Sequence, residues 1–267
     1  MKSERRATRR RGLQARAWAL GLGGAIAALA FWMLMSIVLK GGGGVISRLP
    51  PPYLVAQDLF AYALDGLWHD LASSLEVFFI GWIIGSVLAA IFGLLIGRIR
   101  IFGAMFRPMV EAIRPVSSIT WVPLSVVWFG FGLTGKVFLV GLAVFLVVIV
   151  YAIDGSRRIP ADLERTATML GMSGWQRFLS LTLPGALSEV LIGARVALMA
   201  GWGTVIVAEL VAANSGLGAH LIAVQQSYDV SAVLATMICF GAAGFIMNWL
   251  FDFLEKRLVP WRTKAGE

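Results

Sequence analysis

Charge is what this chain of 267 residues has least of: only 14% of it is Asp, Glu, Lys or Arg, against 58% hydrophobic residues. A soluble domain carries about 25% charged residues, so an ordinary soluble enzyme and a disordered chain are both excluded. Cysteine is nearly absent as well. The single Cys239 rules out an intramolecular disulfide and a cysteine metal cluster. Two histidines, His69 and His220, are too few for a histidine-built site within one chain. No Gly-x-x-x-x-Gly-Lys-Ser/Thr phosphate loop occurs, so the sequence carries no nucleotide-binding motif of that kind.

Long apolar runs are what the chain has instead. A membrane-spanning helix needs about 20 apolar residues. Residues 17–39, 77–97 and 115–135 are uncharged runs of that length. Residues 137–153 follow Lys136, and 230–251 follow Asp229. The run 196–208 is short between Arg195 and Glu209, but over 185–210 it makes a full span. The expectation is an all-α polytopic membrane protein with six transmembrane helices. Its parts are a basic segment 1–16, a first span 17–39, a linker 40–70, a five-span core 71–256 and a tail 257–267.

Orientation follows from Lys and Arg, which concentrate on the cytoplasmic side. With the N-terminus inside, only Lys40, Arg48 and Lys136 of the 23 basic residues fall outside, and Arg195 lies within a run. Both termini are therefore expected in the cytoplasm. Topology then explains the net charge of +8 without nucleic acid. A signal-peptide core is only about 7–15 residues and ends at a small-residue cleavage site. The first run is longer, carries Phe31-Trp32-Met33 late and ends at Lys40, so it is expected to be a retained helix.

Between the spans, Gly41 to Gly44 form a flexible run and Pro50-Pro51-Pro52 an extended one. Residues 53–71 mix Leu59, Phe60, Leu64 and Trp68 with Asp58, Asp65 and Asp70. Two readings stay open: an amphipathic helix at the outer interface, or a packed surface helix. The longest loop, 154–183, is built like a compact knob. Pro160 is followed by Asp162 and Glu164, which suit a helix N-terminus. Leu163, Ala167 and Leu170 recur at helical spacing, and Gly171 suits a left-handed stop. Ser173 suits the cap of a second short helix bearing Trp175, Phe178 and Leu179, which Leu183-Pro184 would end. So much ordered chain where a few residues would connect points to a docking surface for a cytoplasmic partner. Packing on its own domain is the alternative.

These residues resemble the coupling loop of importer permeases from ATP-binding-cassette (ABC) systems. The family pattern is Glu-Ala-Ala, three residues, Gly, nine residues, then Ile-x-Leu-Pro. Here Gly171 aligns, Leu181-Thr182-Leu183-Pro184 falls at the required distance and Ala167 matches the second Ala. Arg165 stands where Glu is expected, with Glu164 one residue earlier. More of the chain is similar to the nitrate, sulfonate, taurine and bicarbonate branch. Leu49-Pro50-Pro51-Pro52, the segment from Leu67 to Leu75 and Arg114-Pro115-Val116 carry that likeness. So do Trp121-Val122-Pro123, Trp128-Phe129-Gly130, Gly193-Ala194-Arg195, Val207-Ala208-Glu209 and Asn214 to Gly218.

The resemblance implies a permease subunit in the cell inner membrane that pairs with a second copy. It implies two ATPase subunits docked on Glu164, Arg165, Ala167, Leu170, Gly171, Trp175, Leu183 and Pro184, and a periplasmic solute-binding protein that delivers a small oxyanion. ATP and Mg would sit in the partner ATPase; the chain itself would hold no cofactor or metal. A stand-alone channel, a secondary transporter or a membrane enzyme are the competing classes. A channel would not require the knob, and an enzyme would need a nucleophile–base or metal constellation.

Arg195, Trp202 and Glu209 are spaced by seven and share one helix face. Gly193, Ala197, Ala200 and Thr204 fall roughly opposite, where small residues allow close packing. Ionisable groups in a span usually face a cavity or a partner. The Arg-Trp-Glu face is therefore either a lining of the translocation path or a set of structural pairs. Gly81, Gly85, Gly93 and Gly97 make two Gly-x-x-x-Gly steps suited to close packing. Pro123, flanked by Trp121 and Trp128, is expected to kink the third span, either as a hinge near the path or within ordinary packing.

Overall fold

The apolar runs become helices because a backbone in lipid must satisfy its own hydrogen bonds. The computed structural model describes residues 20–21, 23–24, 26–38, 49–211 and 215–258, with side chains to residue 254. The basic segment 1–16, most of the linker before Leu49, Asn214 and the tail beyond 258 lie outside the described residues. The chain divides into two units, residues 1–65 with 224–236, and residues 66–223 with 237–267.

In the first unit, α1 (Ile26–Val38) is the described part of the expected first span. Trp32 donates its indole N–H to the Pro50 carbonyl at 3.1 Å. The helix expected over 53–71 is instead two. α2 (Pro52–Asp65) ends before Gly66, and the next helix begins at Leu67, so the core's first helix starts earlier than its apolar run. The break falls at Gly66, whose φ of −165° is extended. α2 buries Val55 and Tyr62, leaves Phe60 and Leu64 exposed, and bonds Asp58 to the Ser231 hydroxyl.

Asp229 opens α11 (Val230–Leu258) by accepting from the backbone N–H groups of Ser231 and Ala232, both at 3.1 Å. The Ala232 N–H and the Ser231 hydroxyl hold this carboxyl below the usual aspartate range. Its contribution is thus present at neutral pH and is lost as pH falls through the depressed value. Asp229→Ala is expected to cost about 1 kcal/mol, visible as a lower thermal midpoint in detergent at pH 7 and a smaller difference in acid.

The second unit holds α3 (Leu67–Arg98), α4 (Arg100–Ile113), α5 (Val122–Phe129) and α6 (Leu133–Arg157). After these come α7 (Ala161–Met169), α8 (Gly174–Arg177), α9 (Leu183–Val211) and α10 (Leu217–Gln226), and no strand occurs among the described residues. α3 and α6 pack in parallel. Gly81 lies against Val140, Gly85 against Gly141, Gly93 against Ala152 and Gly97 against Ser156. α9 runs antiparallel to α6, with Gly193 against Tyr151 and Gly201 against Val144. It is also antiparallel to α11, since Trp202 meets Phe240 while Arg195 pairs with Asp252.

The parallel packing of α3 and α6 decides the topology. A chain that leaves the end of α3 must recross before α6 begins. Residues 99–132 therefore form a span, yet not the straight one expected over 115–135. α4 and the segment Ser118–Phe129 meet at 94°. At about 1.5 Å per α residue and 2 Å per 3₁₀ residue, the two legs are each about 20 Å, and at a right angle they reach roughly 29 Å. That is close to the hydrocarbon thickness of about 30 Å. Among the described residues four helices are long and apolar enough to span, and the bent pair makes a fifth. The turn sits at residues 114–117, beside Pro115, and not at Pro123. Pro123 lies in the first turn of α5, where its missing N–H has no partner to lose.

Candidate functional site

α6, α7, α8 and α9 build the knob by standard end chemistry. α7 starts after Pro160, with Asp162 and Glu164 in its first turn. It stops in a Schellman motif: the Met172 N–H reaches the Ala167 carbonyl at 3.1 Å and the Gly171 N–H the Thr168 carbonyl at 3.0 Å. Gly171 adopts φ +69°, the left-handed conformation that glycine holds without strain. A capping box follows: Ser173 Oγ accepts from the Gln176 N–H, and Gln176 Oε1 accepts from the Ser173 N–H. Leu183-Pro184 does not end the second helix as expected. A π-turn over Phe178–Thr182 carries α8 into α9, with the Leu183 N–H reaching back to Phe178. The wider turn makes room for the Pro184 ring, which would otherwise strike the carbonyl four residues back.

The knob's surface is unusual for a segment beyond the spans. Ala167 is buried, but Met169 is 86% exposed, Leu170 73% and Trp175 68%. Leu163, Leu179 and Leu183 are exposed with them. Met169 is a member of this patch that the spacing argument missed, because it falls one residue off the Leu163–Ala167–Leu170 stripe. Glu164 forms an ion pair with Arg98 at the end of α3, which ties the knob to the bundle. Arg165 lies 3.8 Å from Asp162 on the exposed side of α7. Pro184 is exposed at the start of α9.

The Arg-Trp-Glu face of α9 finds its partners within the chain. Arg195 pairs with Asp252 of α11. Trp202 stacks on Phe240 at 4.3 Å between centroids, meets Phe78 edge-on and donates Nε1–H to the Phe240 carbonyl at 3.1 Å. Glu209 is fully buried. It accepts from Ser74 Oγ at 2.8 and 3.0 Å and from the Gly218 N–H at 2.8 Å. Ser74 Oγ in turn accepts from the Leu217 N–H at 2.9 Å. Lys136, also buried, reaches the Ser215 carbonyl at 3.4 Å. On the opposite face Gly193, Ala197 and Thr204 are buried, while Ala200 is exposed. The aromatic residues of the bent span differ among themselves. Trp128 is exposed, packed on Phe129 and Phe138, and Pro123 is exposed. Trp121 is half-buried, and its indole N–H is buried without an acceptor among the described residues.

The described residues thus make a multi-pass helical bundle with an exposed apolar knob between α6 and α9. Residues 81–260 match the family described as binding-protein-dependent transport system inner membrane component, and the chain belongs to it. The chain is 33% identical to the taurine transport system permease protein TauC of Escherichia coli (strain K12), over 81% of each chain. It is 29% identical to the putative aliphatic sulfonates transport permease protein SsuC of Bacillus subtilis (strain 168), over 92% of this chain and 88% of that one. With the nitrate import permease protein NrtB of Leptolyngbya laminosa the identity is 25%, over 89% and 88%. The fold is that of a chain in the inward-facing MetNI methionine ABC transporter: TM-score 0.56, 18% identity, covering 78% of this chain and 96% of that one. The protein is thus a transmembrane permease subunit of an ABC importer, and its family works with ATPase and solute-binding partners.

Proposed function

We propose that two copies of this chain form the path for a small oxyanion, such as a sulfonate, nitrate or taurine. A periplasmic binding protein delivers the solute, and two ATPase subunits dock on residues 160–184. The concentration of Lys and Arg on one side supports a cytoplasmic position for both termini. ATP and Mg belong to the partner ATPase, and this chain holds no cofactor or metal of its own. The substrate class rests on the chain's similarity to the taurine, aliphatic sulfonate and nitrate permeases.

The exposed patch of Met169, Leu170 and Trp175 on a knob held by a Schellman stop and a capping box carries the coupling reading. The stop and the capping box fix the backbone, yet these apolar side chains stay exposed among the described residues, which suits a partner surface. The path is a second question. Non-helical backbone within a span is tolerated only where protein covers it or water reaches it. The break at residues 114–117 and the segment with Trp121, Pro123 and Trp128 therefore suit the path or the dimer axis. Arg195, Trp202 and Glu209 have intrachain partners, which favours the paired reading of that face.

Co-purification with the candidate ATPase in detergent tests the coupling. Gly171→Pro replaces φ +69° by a ring fixed near −65° and deletes the Gly171 N–H bond to Thr168. The expected result is a two-plus-two complex with the wild type and its loss in the variant, at unchanged monodispersity of the permease. A wild-type chain that never retains an ATPase would favour a lone channel or a secondary transporter instead.

A further inference from the structure

A cavity of about 490 Å³ opens where α3 ends against the knob. Its walls include Leu95, Arg98 and Ile99 on one side and Trp175, Arg177 and Phe178 on the other. Four of these six side chains are apolar and two are cationic. Arg98 is engaged by Glu164. Arg177 donates one guanidinium N–H to Thr168 Oγ1 at 3.2 Å, but its Nε–H is buried without an acceptor. A buried guanidinium donor left unmade is costly, and none of the described residues supplies its acceptor. Trp175 and Phe178 stack at 5.7 Å beside it.

We propose that this cavity binds the phosphate of an anionic phospholipid. It lies at the terminal turn of a spanning helix, the depth at which headgroups, indoles and arginines meet. Phosphate oxygens would accept from the guanidinium of Arg177, which lines the cavity and belongs to the donor group that recognises phosphate best. Leu95, Ile99 and Phe178 offer an apolar wall to the glycerol and first acyl carbons. A free phosphate would draw nothing from those three residues, whereas a lipid uses the charge and the wall together. Basic pockets at the ends of spanning helices take anionic headgroups by this logic. The leaflet rests on the proposed orientation, in which this end is cytoplasmic. Lipid seated here would brace the knob against α3 in the resting permease.

Native mass spectrometry of the delipidated full chain, titrated with phosphatidylglycerol, phosphatidylcholine or inorganic phosphate, tests this. Phosphatidylglycerol is expected to bind most tightly. Arg177→Gln is expected to weaken it about five- to tenfold, since one basic residue near an anionic surface contributes about 1 kcal/mol. Arg177→Lys should fall between, and Arg107→Gln, which alters an exposed pair on α4, should leave binding unchanged. Trp175→Ala should weaken phosphatidylglycerol while leaving inorganic phosphate unaffected. Equal binding of the two lipids, or an Arg177→Gln protein that binds like wild type, overturns the proposal. Inorganic phosphate that competes as well as lipid makes this a free-oxyanion site and overturns it too. A cavity that belongs to an acidic ATPase side chain would show as ATPase co-purification lost in Arg177→Gln with phosphatidylglycerol binding intact. Failure of the coupling reading is separate, because it removes ATPase binding from the wild type whatever lipid is present.

Discussion

Glu209→Leu is expected to lower the thermal midpoint of the detergent-solubilised permease and its yield in membranes more than any change on the knob surface. The carboxylate is fully buried and fixes three segments at once. It takes the Ser74 hydroxyl from α3 and the Gly218 N–H from the start of α10, and it stands on α9. Gly216, at φ +106°, passes so close that no Cβ would fit beside the carboxylate. An apolar replacement leaves the Ser74 hydroxyl and the Gly218 N–H buried without acceptors. Orphaned donors cost about 1–3 kcal/mol each, so a loss of about 3 kcal/mol is expected. Glu209→Gln keeps one carbonyl acceptor and should lose about half as much. Thermal midpoints by fluorescence-detected size exclusion check the order. If Glu209→Gln keeps its midpoint while uptake in reconstituted vesicles disappears, the carboxylate serves the solute and the structural assignment is wrong.

The knob was legible in the sequence because helix ends have local chemistry. Pro160, Gly171 and Ser173 each specify a backbone conformation within a few residues, and each adopts it in the structure. The spans were legible because apolar length is a property of a single segment. The bent third span was not, since the run 115–135 is as apolar as a straight helix. What marks it is the parallel packing of α3 and α6, a contact between residues far apart in the chain. The partners of the α9 face were hidden in the same way. Ser74 lies 135 residues from Glu209 and looks like any serine at the edge of an apolar run. Asp252 carried a signal that could have been used: an acid just past the last run, facing an arginine inside the fifth, is a plausible intramembrane pair. Arg98 as the partner of Glu164 also crosses a long stretch of chain, and it gives the acid one residue before the family position a definite task.

Gly85→Ala is expected to destabilise the permease by about 3 kcal/mol, whereas Gly241→Ala should be neutral or slightly stabilising. Both glycines are helical, so the helix propensity gained is the same, up to about 1 kcal/mol. The difference is what a Cβ would meet. At Gly241 nothing lies within 4 Å. At Gly85 the obstacle is the Gly141 carbonyl, a backbone group that cannot rotate away. At Gly81 it is the Val140 Cβ and Cγ1 at 2.8 Å, with the Val137 carbonyl at 3.1 Å; side-chain rotation does not move a Cβ, so Gly81→Ala should also be destabilising. Overpacking of this kind typically costs about 1–3 kcal/mol and more where the backbone must move. The same seam sets the register between the end of α3, which holds Arg98, and the end of α6, from which the knob departs. Prising it apart should therefore also weaken ATPase retention in Gly85→Ala, even at temperatures where the protein stays folded. Midpoints measured side by side decide the matter. Equal values for Gly85→Ala and Gly241→Ala would mean that α3 and α6 do not approach at Gly85. The parallel packing that makes residues 99–132 recross the membrane would then lose its closest backbone approach.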